Sequence, residues 1–151
     1  MAAVRENDLS ASMEDYLEAI HNLAAESSVA RGKDIAELLG VSRASVSGAL
    51  RVLKDRGLAN YKPYGYVTLT DNGKTAAVEV VRRHNILKFF FADVLAVDDD
   101  VAQQAACRAE HILGLEVIDR LLAFIDFVTK ENKNGYDLTK KFKRFCSRKK
   151  K

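Results

Sequence analysis

Apolar residues in the first third of the chain recur at helical spacing. Over residues 12–26, Met13, Tyr16, Leu17, Ile20, Leu23 and Ala24 fall on one stripe of a 3.6-residue repeat, which predicts an amphipathic helix. Residues 32–39 predict a short second helix with Ile35, Leu38 and Leu39 inward and Gly40 at its end. Ser42 suits the cap of a third helix, in which Val46, Ala49, Leu50 and Leu53 repeat at i, i+3, i+4 and i+7 as far as Gly57. The period then changes. Residues 58–61 and 66–70, rich in aromatic and β-branched side chains, flank the turn Lys62-Pro-Tyr-Gly65 and predict a β-hairpin. Helical spacing returns from Thr70 to about Phe91, from Asp98 to about Leu113, and from Glu116 to Val128.

This order predicts a mainly α protein with an N-terminal winged helix-turn-helix and its small hairpin, followed by an all-α domain. The expected boundaries are a leader at 1–11, a DNA-binding domain at 12–70, a helical domain at 71–135 and a basic tail at 136–151. The helix-turn-helix reading has a physical basis. A recognition helix slides its N-terminal end into a major groove about 12 Å wide, so that end must be slim. Ser42, Arg43, Ser45, Ser47 and Gly48 keep it slim and supply hydrogen-bond donors. Arg51 lies further along, within reach of a phosphate, and Lys62 and Tyr64 at the hairpin tip form a wing for the DNA backbone.

Composition narrows the class. The 151 residues are 48% hydrophobic and 30% charged with one Pro, which excludes collagen-like and broadly disordered chains. No apolar run reaches the ~18–20 residues of a membrane span. Two cysteines, Cys107 and Cys146, are too few for a disulfide framework, so the expected setting is reducing and cytoplasmic. The net charge of +3 conceals an uneven distribution. Residues 140–151 hold eight Lys or Arg and no acid, leaving 16 basic against 21 acidic residues before them. Within that remainder, residues 31–64 carry seven basic against three acidic side chains. A basic island over the helix-turn-helix favours duplex DNA as partner.

Candidate metal ligands sit elsewhere. Cys107, Glu110 and His111 stand at i, i+3 and i+4 and share a helix face, either as a metal half-site or as a small buried Cys beside a surface Glu-His pair. His84 lies among Val80, Val81, Leu87 and Phe91, as a core histidine or as a ligand. Asp15 and Glu18 form an acidic pair opposite the apolar stripe of the first helix, where the bland alternative is a solvated face.

In combination these features resemble the diphtheria-toxin-repressor and manganese-transport-regulator family of metal-dependent repressors. The motifs are Ser12-Met-Glu-Asp-Tyr-Leu-Glu18, Arg83-His84 and Ala106-Cys-Arg-Ala-Glu-His-Ile112, in order, and the resemblance covers residues 12–128. It implies that Asp15, Glu18, His84, Cys107, Glu110 and His111 are metal ligands. It also implies a homodimer built on the later helices, which fits the apolar supply of Phe89, Phe90, Phe91, Val94, Leu121, Phe124, Ile125 and Phe127.

The pattern mixes two branches. Asp15 with Glu18 resembles the manganese branch, whereas Cys107 resembles the iron branch, and a thiolate favours Fe(II) over Mn(II). Fe(II) is therefore the first expectation and Mn(II) the second. Lys88 and Gln103 stand where the iron branch has further ligands, so its ancillary site is expected to be missing. The implied function is a metal-dependent repressor that binds a palindromic operator of metal-homeostasis genes, with no catalytic residues. The rivals are a metal-independent winged-helix regulator with Cys107 as a redox sensor, and a metallo-hydrolase with Glu110 as base. The second lacks the His-Glu-x-x-His of zinc proteases, a nucleophile elbow and a phosphate loop.

Overall fold

Residues 9–27 and 29–149 are described by a computed structural model of the chain, so the expected leader lies outside the described residues as far as residue 8. The chain divides into two compact units, Met1–Val81 and Arg82–Lys151.

The apolar stripes read from the sequence become the core of the first unit, except that Leu38, expected inward, is 55% exposed and Leu39 is only half-buried. Helix α1 (Ala11–Ser27) buries Tyr16, Leu17, Ala19 and Ile20. Helix α2 (Gly32–Leu39) buries Ile35 and Ala36, and α3 (Arg43–Asp55) buries Val46, Ala49, Leu50 and Leu53. These meet Leu58, Val67 and Leu69 in one cluster. Each fully buried Leu or Ile contributes ~1.5–3 kcal/mol through removal from water. The turn between α2 and α3 depends on Gly40, whose left-handed φ of 65° lets its N–H and that of Val41 close the helix on Glu37 and Ala36 carbonyls. Ser42 then caps α3, its hydroxyl accepting from the Ser45 N–H at 3.1 Å.

The hairpin is part of a three-stranded antiparallel sheet. Strands β1 (Ala30–Arg31), β2 (Ala59–Tyr61) and β3 (Tyr66–Leu69) are ordered β1-β3-β2, with Arg31 opposite Tyr66 and Tyr61 opposite Val67. Strand β3 alternates, turning Val67 and Leu69 inward and Tyr66 and Thr68 outward. The sheet leads into α4 (Asp71–Phe89) through Thr70. Its hydroxyl donates to the Gly57 carbonyl at 2.6 Å and accepts from the Gly73 N–H at 3.1 Å. Gly73 lies so close to the preceding chain that a Cβ there would stand 1.8 Å from the Leu58 carbonyl oxygen.

In the second unit α4 ends in a π-helical turn, Phe90–Val94, and is followed by α5 (Asp99–Ala109), α6 (Leu115–Lys133) and α7 (Leu138–Lys149). Two small clusters hold the unit together, one around Leu87, Ala106 and Ile118 and the other around Val94, Ile125 and Val128. Helix α5 stops at Ala109, four residues before the expected Leu113, and Glu110 caps it with its N–H on the Ala106 carbonyl. Most of the basic C-terminal segment is helical, as α7. Asp137 accepts from the Lys140 N–H at 2.9 Å, Asn132 accepts from the Leu138 N–H at 2.8 Å, and Leu138 packs on the second cluster. Among the described residues, no helix is long and apolar enough to cross a membrane.

Candidate metal centre and DNA interface

Four of the expected ligands converge within the second unit. His84 projects from α4 and is buried, and the Glu110 carboxylate at the end of α5 is only 1% exposed. The His84 Nδ1 and a Glu110 oxygen are 2.5 Å apart, a hydrogen bond. The other Glu110 oxygen lies 3.4 Å from His111 Nε2, and Cys107 Sγ stands 3.8 Å from His84 Nδ1. Cys107 also accepts from the Gln103 amide at 3.7 Å. The expected shared helix face is realised in modified form, because Glu110 keeps helical angles (φ −58°, ψ −28°) as the cap while His111 lies in the turn beyond.

A buried carboxylate with two imidazoles and a thiol around it makes a donor set for a first-row transition metal. Imidazole and carboxylate suit Mn(II) and Fe(II), and the sulfur shifts the balance toward Fe(II). The residues therefore fit the group that the sequence implies. Asp15 and Glu18 belong to the first unit, one turn apart on α1, and both are half-buried. They are not the freely solvated pair that the single-helix pattern allowed. The Tyr16 hydroxyl is held above its usual pKa, first by burial and then by the neighbouring Asp15 carboxylate.

Four of the eight DNA-binding candidates share one cleft of the first unit. Arg43, Ser47 and Arg51 on α3 and Tyr64 in the wing line a single cleft of about 800 Å³. Ser42, Ser45, Gly48 and Lys62 are exposed but do not line it. The Ser42 hydroxyl is engaged in the cap and stands 2.9 Å from that of Ser45. Among the lining residues that the sequence reading missed are Arg31, Lys33 and Tyr66. Strand β1 sets Arg31 beside Tyr66, with its guanidinium 5.0 Å from the ring centroid and donating to the phenol oxygen at 3.1 Å. The trace of the two cations in the sequence is the basic excess over residues 31–64. A cleft lined by Arg and Lys beside a helix N-terminus has the charge that a phosphate backbone requires.

Both units match known domains. Residues 8–67 match the model of the iron dependent repressor N-terminal DNA binding domain. Residues 70–136 match that of the iron dependent repressor metal binding and dimerisation domain. The transcriptional regulator MntR of Salmonella typhimurium is 36% identical over 121 residues, spanning 80% of this chain and 76% of that relative. The chain belongs to the iron-dependent repressor family. This repressor is also 32% identical to the diphtheria toxin repressor of Corynebacterium efficiens over 123 residues, 82% of this chain and 54% of that relative. Among solved structures, IdeR of T. acidophilum aligns with a TM-score of 0.68 at 26% identity, covering 75% of this chain and 53% of that one. The repressor thus spans about half the length of these last two. Its class is a metal-dependent transcriptional repressor with a DNA-binding domain and a helical metal-binding and dimerisation domain. Nothing in the donor cluster favours a separate redox role for Cys107.

Proposed function

We propose that Asp15, Glu18, His84, Cys107, Glu110 and His111 hold a divalent cation, Fe(II) first and Mn(II) second, and that this occupancy licenses a homodimer to bind a palindromic operator. The observation that carries the reading is the buried Glu110 carboxylate with His84, His111 and Cys107 around it, inside a unit that matches a metal-binding domain. A bound cation supplies positive charge and directed coordination to a site rich in carboxylates. Glu110 anchors the site, since removing a carboxylate from a buried paired position leaves its partners unsatisfied. Asp15 and Glu18 bring the DNA-binding module into the ligand set, so metal occupancy and the pose of α3 are coupled. Without the cation, Asp15, Glu18 and Glu110 add like charges that repel.

Homodimer formation falls to the second unit, where Phe124 and Phe127 on α6 are 47% and 54% exposed. Two recognition helices then serve half-sites ~34–36 Å apart. Coupling of ~1–3 kcal/mol, or about 5–150-fold in DNA affinity, is the usual range for such a switch. Titration calorimetry with Mn(II), and with Fe(II) under anaerobic conditions, tests the ligand set. Glu110→Ala should lose tight binding of both metals, and Asp15→Ala should weaken it while leaving the second unit folded. Undiminished affinity and stoichiometry in both variants would reject the site.

A further inference from the structure

Helix α7 carries six Lys or Arg and no acidic residue, and every side chain from residue 140 to 149 is exposed. Three of its cations are engaged nearby. Lys140 pairs with Asp137 at 3.1 Å, Lys141 lies 5.3 Å from the Tyr136 ring centroid, and Lys149 lies 5.0 Å from that of Phe145. Lys143, Arg144 and Arg148 form no ion pair within 4.0 Å among the described residues, although Arg144 stands near enough to Asp137 to help lower its pKa. At ~100° per residue, these three fall within about 140° of the helix circumference, opposite the stripe of Leu138, Phe142 and Phe145. The helix is held in place, because Leu138 packs against the cluster of Val94, Ile125 and Val128. It is therefore a fixed cationic ridge.

We propose that the Lys143, Arg144 and Arg148 face of α7 is a second, sequence-independent contact for the phosphate backbone of duplex DNA. The inference rests on the DNA-binding reading and adds a surface outside the helix-turn-helix. Charge complementarity selects the partner, since a polyanion is already this protein's ligand and the ridge presents three exposed cations, none of them in a close ion pair among the described residues. An anionic membrane is the weaker fit. Insertion needs a broad free apolar stripe, but Leu138 packs on the second cluster, leaving two exposed rings, Phe142 and Phe145, the second with the Lys149 ammonium 5.0 Å from its centroid.

The experiment compares the full chain with a Lys143→Gln, Arg144→Gln, Arg148→Gln variant, both loaded with Mn(II). Affinity for a mixed-sequence duplex is measured across a salt series, and far-UV circular dichroism confirms that the helices remain. Each lost phosphate contact removes about 0.9 from the slope of log K against log salt, so three remove about 2.7 per subunit in contact. Between 50 and 200 mM salt the variant then loses roughly 40-fold less affinity than the parent. Equal slopes overturn the assignment. Equal slopes together with capture of the parent alone by phosphatidylserine vesicles reassign the ridge to a lipid surface. A parent that binds no duplex overturns the DNA-binding reading along with it.

Discussion

Gly48 sits in the interior of α3, exposed, and a Cβ added there would meet nothing within 4 Å. A glycine in a helix interior costs roughly 0.5–1 kcal/mol relative to alanine, because the unfolded chain has more freedom to lose. The free protein gains no contact in return. Close approach of another molecule to that face, as by the wall of a major groove, would account for the cost. Gly48→Ala should therefore separate stability from function. With a gain of about 0.8 kcal/mol, a unit of this size melts ~3–6 °C higher. Binding to an operator selected from a random-sequence pool should weaken by about 5- to 150-fold, matching the ~1–3 kcal/mol typical of an overpacked contact. Thermal melts followed by circular dichroism and anisotropy titrations read the two effects separately. A variant that is more stable and binds the selected operator as tightly as the parent would refute the placement of the α3 start in the groove.

Gly73→Ala should act in the opposite direction. The added methyl would stand 1.8 Å from a backbone oxygen that cannot rotate away, so the unit must open at the junction of β3 and α4. Overpacking together with loss of the Thr70 N–H to Leu58 hydrogen bond at 3.1 Å amounts to roughly 2–4 kcal/mol, measurable as a lower urea midpoint. At the other end of the chain, the Lys140 backbone N–H and ammonium hold the Asp137 carboxyl below its ordinary pKa. A depressed folded-state pKa means that this support for α7 is present above the unfolded pKa and is lost as pH falls through the folded one. Helicity should therefore fall further on acidification in the parent than in Asp137→Asn, as followed by circular dichroism.

The first unit was the more legible in sequence because its stripes are dense. Leu17, Ile20, Leu50 and Leu53 each stand where the 3.6-residue period puts them, and all are buried. Strand β1 was invisible because its two residues carry no period of their own, and pairing with β3 alone creates it. That omission also hid Arg31 and Tyr66 from the DNA reading. Helix α7 escaped notice because its charge outweighs its short apolar stripe. Its start is fixed instead by hydrogen bonds to Asn132 and Asp137. At the candidate metal centre, the i, i+3, i+4 spacing grouped Cys107, Glu110 and His111, which the structure keeps close although the helix ends at Ala109, because Glu110 retains helical angles. The partial burial of Asp15 and Glu18 could not be read from one helix, whose pattern records its own apolar face but not what covers the other. Their proposed role as ligands came from the family motif.

The account depends on metal occupancy controlling DNA affinity. Anisotropy titration of the selected operator with the intact repressor, in Mn(II) and then with excess chelator, measures that directly. Affinity should fall by about 5–150-fold on chelation and return when Mn(II) is restored. Identical binding curves under both conditions would contradict it.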